Sequence, residues 1–344
     1  FNHARETTLS DKGFSFLNTK TEDESVRLKI IESVRNSEGD IKISPTTVDA
    51  FSTCPFDWLL SHVLKVDQED FVLVHADPRV IGILIHNCYA DLYREIEKET
   101  GTFLSEQISL YANMIHGIVE YRMDQMAKSP SAPIEPVQLW MRDYLHEFLP
   151  GIITADAENF AGWKSILIEG TLAVELPGSG IELAETSVLG GRLDRAAVSR
   201  TAVSKAEASD DPADSQSIAI IDYKKNSHVR VNSLSGTSDA PDSYQLPLYA
   251  FLLESDLSLS DSGIKGEVTH ALYYDVTKRK YITICGDGKS DTENNFRRMI
   301  AIALEKAEEA AQLIQEGDFR VVPGLDRCKN CRNRDICRGR FAVQ

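Results

Sequence analysis

Ile218-Ala219-Ile220-Ile221-Asp222-Tyr223-Lys224-Lys225 is the stretch on which the reading of this chain turns. Four apolar residues lead into an acid and a lysine two positions apart. Residues two apart on a strand share a face, so Asp222 and Lys224 point one way while Ile221 and Tyr223 point the other. A second segment, Gly190-Gly191-Arg192-Leu193-Asp194-Arg195, ends a neighbouring strand with another carboxylate. Two carboxylates and a lysine at strand ends suit metal-dependent hydrolysis of a phosphodiester. A hard divalent cation such as Mg²⁺ or Mn²⁺ takes oxygen ligands and keeps water in its shell, here from Asp194 and Asp222. Metal-bound water has a lowered pKa and serves as the nucleophile. Lys224 can orient or deprotonate that water, or offset charge on the phosphate. A bare Asp-x-Lys is more often a surface ion pair. The apolar lead and the second, glycine-rich strand raise it above that.

Working outward, the chain has 344 residues, 42% of them apolar, which is enough for a large core and room for two lobes. The formal charge is -16 and the pI about 5.0. That argues against a generic nucleic-acid-coating protein, which is usually basic. It leaves room for a nuclease, because a metal offsets carboxylates in its site. The chain starts at Phe1 without a positive segment and apolar run. This reads as an excised fragment or processed chain with no secretory signal, and a cytoplasmic location is expected. No stretch approaches about 20 uninterrupted apolar residues, so no membrane span is expected.

Residues 1–43 form a polar N-terminal segment with a short helix over Glu22–Val34. Ser44-Pro45 starts a helix, with serine as cap and proline in the first turn. It runs to about Lys65 on Val48, Phe51, Leu59, Leu60 and Val63, with a break near Cys54-Pro55. Further helices cover Pro78–Glu99 and Phe103–Met126. A Ser/Pro-rich linker fills 127–135, and helices resume to about Gly162 on Trp140, Tyr144, Leu145, Phe148 and Leu149. Residues 44–164 thus read as a helical lobe carrying Cys54 and His86. From 165 to 317 the texture is α/β. Strands are expected over Ile166–Leu176, Ile181–Thr186, Ser187–Asp194 and Ile218–Lys224. A polar insertion occupies 199–217, and 226–243 is again polar. Tyr244–Leu253 reads as an amphipathic helix, Val268–Asp275 and Lys280–Cys285 as a hairpin, and Thr292–Glu316 as a long helix ending at Gly317. Residues 318–344 are a cysteine-rich tail. There is no internal repeat and no Gly-x-x-x-x-Gly-Lys-Ser/Thr loop, so no ATP hydrolysis is expected. Glu169 and Glu175, on the strand before the site, read more readily as surface acids than as contributors to it.

The six cysteines are too few for a disulfide scaffold in a chain this long. Cys88 and Cys285 sit in apolar surroundings and read as core. Cys328-x-x-Cys331 and Cys337 bring three thiolates together, with a fourth ligand from elsewhere. That spacing alone does not separate zinc from iron–sulfur. Around them Arg327, Lys329, Arg332, Arg334, Arg338 and Arg340 make the tail basic, as a phosphate-binding rim or as a solvated face.

Four motifs in order carry a family resemblance: Gly82-Ile83-Leu84-Ile85-His86, Gly191-Arg192-Leu193-Asp194-Arg195, Asp222-Tyr223-Lys224 and Gln245-Leu246-Pro247-Leu248-Tyr249. From about Ser44 to the C-terminus the sequence resembles the PD-(D/E)XK nucleases of the RecB family, in particular the AddB-like branch. The resemblance implies a restriction-endonuclease-like core, a central mixed sheet flanked by helices. It makes His86 a metal ligand or a shaper of the metal site, and brings the main-chain carbonyl of Tyr223 toward the metal. Gln245 and Tyr249, i and i+4 on a helix face, would contact DNA phosphates or hold the strand near the catalytic centre. Members of that branch, and related iron–sulfur nucleases, take one cysteine before the core and three after it. The resemblance therefore implies a [4Fe-4S] cluster on Cys54, Cys328, Cys331 and Cys337. Such a cluster would staple the N-terminal helix to the tail. The 28-residue interval from Asp194 to Asp222 is longer than a usual hairpin and reads as a lengthened surface loop.

The function so implied is hydrolysis of single-stranded DNA, as the nuclease part of a helicase–nuclease subunit in double-strand break repair and recombination. Its partner would be a helicase domain or an AddA-like subunit. A stand-alone RecB-family exonuclease is the alternative within enzymes. A non-catalytic DNA-binding or scaffold module is the alternative outside them, and the complete Asp194, Asp222 and Lys224 set speaks against it. A zinc-stabilised RNA-processing protein has little specific support.

Overall fold

The structure is a computed structural model that describes residues 24–66, 78–130, 132–178, 185–200, 216–226, 243–256, 266–286, 290–324 and 328–337. In chain order the elements are α1 (Glu24–Ser33), β1 (Ile41–Ile43), α2 (Pro45–Thr53), α3 (Pro55–Trp58) and a π-helical turn (Leu59–Val63). Next come α4 (Pro78–Glu99), α5 (Ile108–Ala127), α6 (Glu135–Phe148), α7 (Gly151–Asn159), β2 (Lys164–Glu175), β3 (Ser187–Arg200) and β4 (Gln216–Lys224). Then follow α8 (Gln245–Glu254), β5 (Val268–Asp275), β6 (Lys280–Cys285) and α9 (Ser290–Glu316). Two compact units result: residues 71–172 with 191–300, and residues 1–70 with 173–190 and 301–344.

The larger unit is built on a mixed sheet flanked by α-helices. β3 pairs antiparallel with β4 through Arg195↔Ile221 to Arg200↔Gln216. The two strands that bracket the long insertion therefore do pair directly. β4 runs parallel to β5, with Asp222 opposite Tyr273 and Lys224 opposite Asp275. Parallel neighbours need a crossover, and α8 lies between them in the chain. β6 returns antiparallel to β5, and β2 pairs with β3. Ala219, Ile221, Tyr223, Leu272 and Tyr274 pack in one apolar cluster with residues of α4 to α7. On α4 the apolar positions Ile81, Leu84, Ile85, Cys88, Tyr89, Leu92, Tyr93 and Ile96 recur at three- and four-residue steps and are buried, the stripe of a helix lying on a core. Cys88 and Cys285 are buried as expected.

α8 departs from expectation. Leu246, Pro247, Leu248, Tyr249, Ala250, Leu252 and Leu253 are all buried. A helix that is apolar all round is a buried helix, not an amphipathic one.

In the smaller unit, Ser44 caps α2, its Oγ accepting from the Thr47 amide at 3.0 Å. Pro45 stands in the first turn. The break at Cys54-Pro55 is real: α2 stops at Thr53, Cys54 is extended, and α3 starts at Pro55. Phe51 meets Trp58 with ring centroids 4.6 Å apart, and Trp58 stacks on Phe319 at 6.0 Å. β1 went unread in the sequence. Its three residues pair in parallel with Ser187–Leu189 at the start of β3, and so short a strand is invisible to a two-residue period.

Several expectations lie outside the described residues: the first 23 residues, most of the strand at Ile181–Thr186, the bulk of the 199–217 insertion, nearly all of 226–243, and Arg327, Arg338 and Arg340 in the tail. Among the described residues no helix is long and apolar enough to cross a membrane.

Candidate metal centre

Where β3 and β4 stop pairing, their register carries Asp194 and Asp222 one step past Arg195↔Ile221. There the Tyr223 amide donates to Asp194 Oδ2 at 2.7 Å. Asp194 Oδ1 faces His86 Nδ1 of α4 at 3.1 Å. Glu169 of β2 reaches the same imidazole nitrogen, Oε1 to Nδ1, at 3.2 Å. One donor atom from each of His86, Glu169 and Asp194 lies within 4.8 Å of the others. One imidazole and several carboxylates form a donor set that fits a hard or borderline divalent ion.

Glu169 is the residue that sequence reasoning undervalued. Its side chain is 4% exposed, not a surface acid, and its backbone sits at φ 50. A positive φ is uncommon outside glycine. Here it breaks the alternation of β2, which is why counting residues along the strand did not place this carboxylate in the site. Arg192 ion-pairs with its other oxygen, Nε to Oε2, at 2.6 Å.

Asp222 is buried and pairs with Lys224, Nζ to Oδ2, at 2.7 Å, on one face as the strand period requires. The same ammonium donates to Gln245 Oε1 at 2.8 Å. Gln245 thus holds the lysine from the first turn of α8. Tyr249, one turn further, is 7% exposed. The Tyr223 ring packs edge-on to His86 at 6.0 Å and to Tyr89 at 4.8 Å.

The electrostatics reflect crowded carboxylates. Burial pushes the Asp222 carboxyl up to about 6, and the charge on Asp194 adds to the shift, against the pull of Lys224. Burial by itself would lower the His86 imidazole, but hydrogen bonds to Asp194 and Glu169 outweigh it and raise the group to about 10. A site that retains a proton this strongly is one where a cation is wanted.

Beneath the site lies a buried anchor. Arg195, next in sequence to Asp194, points into the core. Its Nη1 donates to Asp156 Oδ2 at 2.7 Å, and its guanidinium lies 3.9 Å from the Tyr93 ring centre. Asp156 also accepts from Tyr93 Oη at 2.7 Å and from Tyr281 Oη. Asp156 was missed because nothing in α7 flags an acid that will be fully buried.

In the smaller unit Cys54, Cys328, Cys331 and Cys337 line one cavity of about 340 Å³ together with Asp57 and Asn333. Asn333 Nδ2 donates to Asp57 Oδ1 at 2.7 Å, which ties the tail to α3. The Gly324 amide points at Cys328 Sγ, 3.4 Å away. Burial pushes the Cys331 thiol up to about 11. No three of these sulfurs fall within 4.8 Å of one another. A tetrahedral zinc site, with Zn–S near 2.3 Å, would hold them about 4 Å apart. The cysteines share a cavity but do not close on a single ion.

A family model described as the PD-(D/E)XK nuclease superfamily matches residues 42–338. No curated protein matches the chain.

Proposed function

We propose that this chain, which belongs to the PD-(D/E)XK nuclease superfamily, is a metal-dependent deoxyribonuclease that cuts single-stranded DNA. The observation that carries the reading is the convergence of His86, Glu169 and Asp194 beside the Asp222–Lys224 pair. Binding alone needs no such set of buried carboxylates.

Asp194, Asp222, Glu169 and His86 would hold Mg²⁺ or Mn²⁺, and the main-chain carbonyl of Tyr223 would complete the shell. The ion supplies a water of lowered pKa and a charge to face the phosphate. Lys224, held as an ammonium by Asp222 and Gln245, would orient the attacking water or offset negative charge on the phosphoryl oxygens. Tyr249 would steady the helix that carries Gln245. A Cβ at Gly82, one turn before His86, would meet nothing within 4 Å, which leaves room for a strand to approach that imidazole.

The four cysteines would hold a [4Fe-4S] cluster. What supports a group shared by all four is that they line one cavity of about 340 Å³. Its role would be structural, tying α2 to the tail across the 274 residues between Cys54 and Cys328. The biological setting that fits is an AddB-like helicase–nuclease subunit with a helicase partner, acting on broken DNA ends.

The test is cleavage of labelled single-stranded DNA by anaerobically purified protein in Mg²⁺, Mn²⁺ or EDTA, beside Asp222→Ala. Cleavage that needs the metal and vanishes in the variant is the expected result. Cleavage that persists in EDTA or in the variant would overturn the site assignment. Iron and acid-labile sulfide in the same preparation, absent from Cys328→Ala, is the expected result for the cluster. Zinc in their place would overturn it.

A further inference from the structure

We propose that Trp140, the exposed end of a ring column on α6, is a stacking platform for an unpaired base of single-stranded DNA bound at the metal site. The inference rests on the nuclease reading and adds where the strand lies. Trp140, Tyr144 and Phe148 are spaced four residues apart, so they share one face of α6. Their rings form a column. Trp140 stacks on Tyr144 with centroids 5.6 Å apart and planes 29° from parallel, and Tyr144 follows Phe148 at 4.7 Å. Tyr144 and Phe148 lean on the core, but Trp140 is 49% exposed, and Leu139 and Ile134 beside it are more exposed still. An apolar face left in water marks a binding surface.

Two cations border the ring column, among the exposed acids Asp143 and Glu147 of the same helix. Lys225 Nζ lies 5.4 Å from the Tyr144 ring centre, and the Arg279 guanidinium lies 4.8 Å from that of Phe148. An aromatic ring beside a cation is an arrangement that holds single strands: one base stacks on the free face of Trp140, backed by Tyr144 and Phe148, while a phosphate meets the charge. Arg279 also pairs with Glu147 at 3.3 Å, so Lys225 is the main phosphate contact and Arg279 chiefly braces Phe148. The platform is tied to the active strand. Lys225 directly follows Lys224, and its carbonyl accepts from Thr277 Oγ1 at 2.8 Å. The Thr277 hydroxyl in turn meets the Tyr144 hydroxyl at 3.4 Å. The rings therefore flank the strand end that carries the Asp222–Lys224 pair. A duplex, whose bases have no free faces, cannot use them.

The experiment is a titration of the whole chain with oligo(dT) in EDTA, where nothing is cut, read by tryptophan emission with unlabelled strand and, for wild type and both variants, by anisotropy of an end-labelled strand. The chain has three tryptophans; Trp58 is buried, and Trp163 is held edge-on by Phe160 and His270. Saturable quenching is expected. W140F should lose the quench yet still bind, W140A should bind about tenfold more weakly, and duplex DNA should quench little. In cleavage assays W140A should raise KM for long single strands and leave kcat unchanged. Unquenched emission, wild-type affinity of W140A, or equal quenching by duplex would overturn the platform. If wild type cleaves in an Asp222-dependent way while W140A matches it in KM and affinity, the platform fails and the nuclease reading stands. If oligo(dT) quenches Trp140 but no metal elicits cleavage, the platform stands and the nuclease reading fails.

Discussion

The metal centre and the cysteine cavity are both sets of ligand-type side chains, yet they are organised to different degrees. His86, Glu169 and Asp194 already lie within 4.8 Å of one another. Each is fixed by regular structure: α4, a kinked β2, and β3 at the point where its ladder ends. The four cysteines line one cavity without converging on a point, and three of them sit on a tail tied down by Asn333 and Asp57. Secondary structure positions the first set whether or not an ion is bound. On the proposed reading, the second set would be drawn together by the group it binds. Preorganised ligands serve chemistry, whereas ligands gathered by their metal serve folding.

The largest effects should fall on opposite observables. Alanine at Asp222 should cost on the order of 10³-fold or more in cleavage rate. It should shift the unfolding temperature by only a few degrees, because it removes a buried, crowded carboxylate. Alanine at Cys328 should do the reverse. By analogy with a cross-link closing the 274-residue loop from Cys54 to Cys328, worth about 5–6 kcal/mol, it should lower the midpoint by about 8 °C. The rate per folded molecule should stay near wild type. Thermal melts and single-turnover rates on both proteins decide it. A Cys328 variant with an unchanged melt would remove the contrast.

Next in size is the buried anchor. Arg195→Met leaves Asp156 facing only Tyr93 and Tyr281, an uncompensated buried acid. Breaking such a pair from one side costs about 3–5 kcal/mol. Denaturant unfolding should show that loss. Asp194 should lose its position with it, so activity should fall even at temperatures where the variant is folded. If stability drops and the rate of the folded variant is unchanged, Arg195 anchors the core alone.

How much of this was legible in the sequence follows from the periods involved. The elements with strong apolar periods were read at or near their observed bounds: Pro78–Glu99, Val268–Asp275, Lys280–Cys285 and Thr292–Glu316 against an observed Ser290–Glu316. The Asp222–Lys224 pair was legible because strand alternation puts both on one face. Glu169 was not, since its positive φ breaks the alternation that would have exposed its role. Asp156 was not, because a buried acid takes its meaning from partners far along the chain. β1 was too short to show a period. α8 reads as amphipathic, but Leu246 to Ala250, Leu252 and Leu253 are all buried and leave it no polar face in water.

Glu169→Gln tests the part of the site that the sequence hid. The amide keeps the shape and can still meet Arg192, but it gives up the charge a cation would share. Mn²⁺ affinity should fall by at least about 10–100-fold, the cost of losing even an outer-shell partner of a metal ligand, and single-turnover rates should fall with it unless Mn²⁺ is raised to saturation. Unchanged Mn²⁺ affinity would return Glu169 to the role of a salt-bridge partner for Arg192.

The smallest effect sharpens the other half of the comparison. Ser44 caps α2, the helix whose far end is Cys54, by accepting from the Thr47 amide. Ser44→Ala should cost about 1 kcal/mol, or roughly 1–2 °C in the melt, with cleavage unaffected because Ser44 belongs to no ligand set. Its value lies in the ratio to Cys328→Ala. A helix cap acts on one turn, while a cluster would act on every conformation open to the chain between Cys54 and Cys328. If the cap variant melts as low as the cysteine variant, ordinary helix-end chemistry holds α2 in place. The cysteines would then be bystanders to stability, and the contrast between a site built by the sheet and one built by its ligand would fail.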